Sequence, residues 1–81
     1  ELPEPYNNLA VLYASAGKLD LAREHLEMCL KLAPKYAIAM QNLADVYTRI
    51  AAVYYAQAYQ LNRRLTESDR KRKLIEALTK Q

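Results

Sequence analysis

The run Tyr6-Asn7-Asn8-Leu9-Ala10-Val11-Leu12-Tyr13 returns as Met40-Gln41-Asn42-Leu43-Ala44-Asp45-Val46-Tyr47, at an offset of 34 residues. A large residue, then Leu-Ala, then Tyr, at three- and four-residue spacings, forms one face of a helix. Its return at a fixed period points to a stacked helical repeat, in which each unit buries its apolar face against a neighbour. The chain has 81 residues, enough for a single domain with a modest core. Phe and Trp are absent and Tyr occurs seven times, so tyrosine supplies all the large aromatic packing.

Within the first unit the punctuation is that of a helical hairpin. Pro5 suits a first helical turn, which predicts a helix from near that residue. Its apolar side is Tyr6, Leu9, Ala10, Leu12 and Tyr13. Ala16-Gly17-Lys18 ends it, with Gly17 supplying a left-handed backbone. Asp20 is the expected cap of the next helix. Leu21, Ala22, Leu26, Cys29 and Leu30 form that helix's apolar side, and Pro34 stops it.

These residues resemble the tetratricopeptide repeat. Tyr6, Leu9, Ala10 and Tyr13 match its first-helix signature, and Gly17 its turn. Ala22, Leu26 and Cys29 match its second helix, and Pro34 its closing proline. The resemblance covers roughly residues 3–62 and implies an all-α fold of helix-turn-helix repeats. It also implies a protein-binding role without catalysis. The wording Asn-Asn-Leu-Ala-Val-Leu-Tyr-Ala is also similar to repeats of bacterial cell-envelope proteins.

The second repeat is shorter. Leu9, Ala10 and Tyr13 pair with Leu43, Ala44 and Tyr47 at an offset of 34, but Ala22, Leu26, Cys29 and Leu32 pair with Ala51, Tyr55, Ala58 and Leu61 at an offset of 29. Five residues are missing, and they are those of the turn that holds Gly17. The segment Tyr47-Thr48-Arg49-Ile50-Ala51-Ala52 has no Gly, Pro, Asn, Asp or Ser to build a reversal. The apolar stripe Met40, Leu43, Tyr47, Ile50, Tyr54, Ala58 and Leu61 keeps one phase. These observations predict one fused helix from about Tyr36 to Asn62, about 40 Å long at ~1.5 Å per residue. Its distal apolar face then needs cover, and exchange of that segment with a second copy supplies it. Tyr47, Ile50, Tyr54, Tyr55, Ala58 and Tyr59 are the expected self-association residues, giving a homodimer.

The domain expected over 1–81 thus comprises a first repeat (3–34), a shortened second repeat (35–62) and a C-terminal capping helix (66–81). Thr66-Glu67-Ser68-Asp69 offers cap residues for the last helix. The net charge of +3 lies in the tail: residues 1–62 hold five basic and six acidic residues, residues 63–81 seven and three. The run Arg70–Lys73 invites a nucleic-acid reading. Four consecutive helical residues point in four directions, however, and lack interleaved aromatics, so a solvated capping helix is the expectation.

The resemblance places ligands on the face lined by first helices. That face would hold Asn7, Asn8, Val11, Ala14 and Ser15 from the first repeat, and Ile38, Gln41, Asn42, Asp45, Thr48 and Arg49 from the second. Amides can donate and accept to a peptide backbone, and Arg49 can grip a carboxylate at two points. The lysine and asparagine clamp by which some members hold C-terminal carboxylates is not met, since Asn7 and Val11 stand at two of its positions.

His25 is expected on the exposed side of its helix and Cys29 as a packed thiol. The sequence contains no catalytic constellation, metal-ligand cluster or phosphate loop, so no cofactor is expected. A purely structural homo-oligomerisation domain is the alternative to partner binding, and a nucleic-acid adaptor the weaker one. No apolar run approaches the ~20 residues of a membrane span. The chain opens on Glu1, as a fragment or processed chain would, and the compartment, cytoplasm or bacterial envelope, stays open.

Overall fold

A computed structural model describes residues 1–80, and among these the regular structure is helical: α1 (Glu4–Ser15), α2 (Leu19–Leu32), α3 (Ala37–Leu61) and α4 (Thr66–Thr79). The fold is all-α, as expected. The expected end of the last helix at Gln81 lies outside the described residues. The helices divide into two compact units, Glu1–Tyr47 and Thr48–Gln81. The boundary falls inside α3, at the place of the missing turn.

In the first unit, Pro5 stands in the first turn of α1, and the amides of Tyr6 and Asn7 close on the Pro3 carbonyl. The helix ends where Gly17 takes φ +76°. The Gly17 amide bonds the Ala14 carbonyl at 3.0 Å and the Lys18 amide the Tyr13 carbonyl at 2.9 Å. This is a Schellman closure, which satisfies carbonyls left open at a helix end. Asp20 is not the cap of α2. Lys18 occupies that place without a side-chain bond, and Asp20 lies in the first turn, where its charge suits the helix dipole.

The closing turns of α2 and α3 share one geometry. The amides of Ala33 and Asn62 bond the carbonyls of Cys29 and Ala58, and those of Tyr36 and Leu65 bond Ala33 and Asn62. Each pair is related by the offset of 29 residues. In the second turn the Asn62 carboxamide also accepts the Arg64 amide at 3.0 Å. The expected Thr66–Asp69 cap is not formed: Leu65 precedes α4 without a side-chain bond, and Thr66 is already helical.

The helix α3 is continuous over 25 residues. No glycine stands between Tyr47 and Ala52, so the left-handed conformation that Gly17 supplies in the first repeat would carry a Cβ penalty there, and intrahelical bonding continues.

The buried core is Ala10, Ala22, Leu26, Cys29, Ala39 and Val46, with Asn7 as a buried polar member. All seven belong to the first unit. Alanines at 10 and 22 allow two helices to approach closely, and Leu26 fills the space beside them. Among residues 48–80 none reaches the same degree of burial.

Candidate protein-binding surface

In the first unit the side chains expected to bind a partner do not share one environment. Asn7 is buried, and its Oδ1 accepts a hydrogen bond from Asn42 Nδ2 at 3.0 Å. This bond ties α1 to the first turns of α3. Burying an amide without a partner costs about 1–3 kcal/mol, so the pair fixes how the two first helices register. Asn7 is therefore an internal strut and no part of an open surface, a correction to its expected placement. Asn42 is half-buried beside it and also engaged.

Around that strut, Asn8, Val11 and Ser15 on α1 are exposed, as are Ile38, Gln41 and Asp45 on α3. Ala14 is half-buried. The exposed set comprises two apolar side chains, Val11 and Ile38, two amides, Asn8 and Gln41, the Ser15 hydroxyl and the Asp45 carboxylate. Such groups can bury a small apolar side chain and hydrogen-bond a peptide backbone. Thr48 and Arg49 are half-buried and belong to the second unit.

His25 departs from expectation. It is half-buried between two tyrosines, its ring centroid 5.0 Å from Tyr13 and 6.1 Å from Tyr6, with Nδ1 2.8 Å from the Leu21 carbonyl. The imidazole of α2 thus lies against two rings of α1. No group of three metal-ligating side chains lies together among the described residues.

Burial pushes the Cys29 thiol up in pKa, against a smaller opposing pull from the Asn7 backbone. A thiol held protonated and enclosed is a packing group. The Tyr47 hydroxyl donates to Glu27 Oε2 at 2.6 Å, which raises its pKa and fastens α3 to α2.

In the second unit, the expected self-association residues fall into two sets. Tyr54 is two-thirds exposed, whereas Ile50, Tyr55, Ala58 and Tyr59 are half-buried. Lys71 Nζ lies 5.7 Å from the Tyr55 ring centroid and the Arg63 guanidinium 4.8 Å from that of Tyr59. Each cation of the basic run has a partner within the chain. Arg70 pairs with Glu67, Arg72 with Asp69 and Glu76 at 2.8 Å each, and Lys73 with Asp69 at 3.1 Å. Lys71 takes the Tyr55 ring. The ion pairs follow the i,i+3 and i,i+4 spacing of α4, whereas Lys71 reaches across to α3. A polar cleft of about 430 Å³ between the end of α3 and α4 is lined by Tyr59, Arg63 and Arg72 among others. Its guanidinium groups are already engaged.

Residues 3–36 match the tetratricopeptide repeat model. The matched segment takes in α1, α2 and the closing turn at Pro34. Tetratricopeptide repeats are protein-interaction modules, and the Schellman turn and small-residue hairpin are the features through which this segment has the repeat's form. The chain is 32% identical over 53 residues to the uncharacterized protein ycf37 of Pyropia yezoensis, a match covering 65% of this chain and 30% of that protein. It is 41% identical over 49 residues to the tetratricopeptide repeat domain-containing protein PYG7, chloroplastic, of Arabidopsis thaliana, covering 60% of this chain and 16% of the relative. The chain thus spans less than a third of either relative. Neither name points to the bacterial cell envelope. No solved structure matches the chain at a significant level. No helix is long and apolar enough to cross a membrane among the described residues.

Proposed function

We propose that this chain holds a partner protein on the surface around the Asn7–Asn42 strut. The observation that carries this reading is the strut itself, which joins α1 and α3 and leaves Asn8, Val11, Ile38, Gln41 and Asp45 exposed beside the join. Peptides selected from a random phage library against the wild-type chain test it. The expected binders lose at least about ten-fold in affinity on Gln41→Arg or Asp45→Arg, as contact residues do. Binders that tolerate both changes, and are lost instead on Leu2→Ala or Leu9→Ala, would contradict it.

A second reading, self-association through α3, is favoured by a separate observation. The repeat positions buried in the first hairpin, Ala22, Leu26 and Cys29, correspond to Ala51, Tyr55 and Ala58, which are only half-buried. The continuous α3 cannot bring its own two ends together, so a second copy is the cover this reading assigns. Sedimentation across a wide concentration range tests it: a mass rising to twice that of one chain is expected, and a single-chain mass throughout would refute it. Inserting the five residues of the Gly17 turn after Tyr47 is expected to return the mass to one chain.

A further inference from the structure

The first repeat contains a complete version of a contact that the second repeat only half provides. In the α1–α2 hairpin, His25 lies between Tyr6 and Tyr13. The first-helix offset carries Tyr6 and Tyr13 to Met40 and Tyr47, and the second-helix offset carries His25 to Tyr54. All three counterparts are large and apolar or aromatic. All three are exposed, at 51% for Met40, 45% for Tyr47 and 66% for Tyr54. Each is a sizeable apolar side chain left open at a position whose first-repeat counterpart makes a ring contact.

They cannot complete the cluster within one chain. Tyr54 follows Tyr47 by seven residues on one helix, about 10 Å along the axis at ~1.5 Å per residue. A ring there cannot come to rest between Met40 and Tyr47. The repeat geometry requires an antiparallel second helix at that position, and the sequence that matches it is residues 51–61, available only from another molecule. Charge does not oppose the pairing. Along its 25 residues α3 bears one acid and one base, Asp45 and Arg49. The Tyr47 hydroxyl is directed to Glu27, and nearly half of that residue's surface stays open.

We propose that two copies pair antiparallel through α3, so that Tyr54 of each copy sits between Met40 and Tyr47 of the other. This rests on the self-association reading and adds its register and its contact residues. Each dimer then holds the aromatic cluster of the first repeat twice more, once on either side of the two-fold axis. Such isologous contacts close on themselves and leave no edge for further growth.

The test uses the full chain in a Cys29→Ala background, with Tyr47→Cys in one preparation and Tyr54→Cys in another. Under mild oxidation the mixed sample is expected to yield disulfide-linked dimer in several-fold excess over either preparation alone. Wild-type mass is measured in parallel. A two-chain mass without the mixed preference would overturn the register while leaving self-association standing. A one-chain mass at every concentration would remove both. Because cysteine could disturb packing, a charge pair gives a second readout. Tyr54→Arg alone is expected to weaken the dimer roughly a hundred-fold, as loss of a central contact does, and adding Met40→Glu, at the flanking position that does not bond Glu27, to restore at least about ten-fold of it. No restoration by the double change would also overturn the register.

Discussion

The two units of this chain use the same inter-helix turn and related apolar positions, yet only one of them has a core. Unit Glu1–Tyr47 contains every fully buried side chain among the described residues, and residues 48–80 contain none. The difference does not come from a shortage of apolar residues in the second unit. Ala51, Tyr55 and Ala58 stand where Ala22, Leu26 and Cys29 stand in the first. What differs is the chain's ability to reverse. In the first repeat, Gly17 takes a left-handed conformation and two backbone bonds seal the end of α1. In the second, five residues are lacking and α3 runs on. A short turn decides whether a set of apolar side chains becomes a core or a surface.

The comparison can be broken most readily at Leu26. Leu26→Ala empties a fully buried position and is expected to cost ~3 kcal/mol, read by chemical denaturation. The corresponding Tyr55→Ala, measured where the chain is dilute, is expected to cost only about 1 kcal/mol, since the ring is half-buried and its removal leaves no enclosed cavity. Equal losses at the two positions would mean that the units are equally well packed.

A smaller effect is expected at the turn. No atom lies within 4 Å of a Cβ built on Gly17, so only its φ of +76° resists substitution. Gly17→Ala is expected to cost about 1 kcal/mol. A neutral result would show that the left-handed position does not hold the hairpin together.

The smallest effect concerns acid. Arg70 holds Glu67 below the usual carboxylate range, and Arg72 with Lys73 does the same for Asp69. Carboxylates lowered in the folded state contribute stability at pH values above their ordinary pKa, and that contribution is lost as pH falls through the lowered value. Helicity of α4 should therefore decline below about pH 4, with the first unit less affected. Both carboxylates are exposed, so salt should weaken the effect. A helicity unchanged down to pH 2 would show that these pairs contribute nothing.

Much of the architecture was legible in the residues. Gly17 and Pro34 marked their boundaries because each imposes a backbone that a helix cannot continue. The continuity of α3 was legible because an unbroken apolar phase coincided with a lack of turn residues. The caps were not: Lys18 and Leu65 take the cap places of α2 and α4, so the helices begin before Asp20 and at Thr66, inside the stretch where the capping side chains were expected. The role of Asn7 escaped as well. It depends on meeting Asn42 across 35 residues of sequence, and an amide on a helix looks the same whether it faces solvent or a neighbour. His25 was misplaced for a similar reason, since a lone histidine among charged residues gives no sign that two tyrosines enclose it. The pairing of Arg70–Lys73 was partly legible, because helical spacing put carboxylates three and four residues away.

Backbone NMR through Tyr47–Ala52 tests the central claim most directly. An uninterrupted helical pattern is expected there, with helical carbon shifts and contacts between residues i and i+4 at every step, and slow amide exchange. A loss of those contacts at Arg49–Ala51, with shifts of a turn, would mean that the chain reverses after Tyr47 and closes its own second repeat.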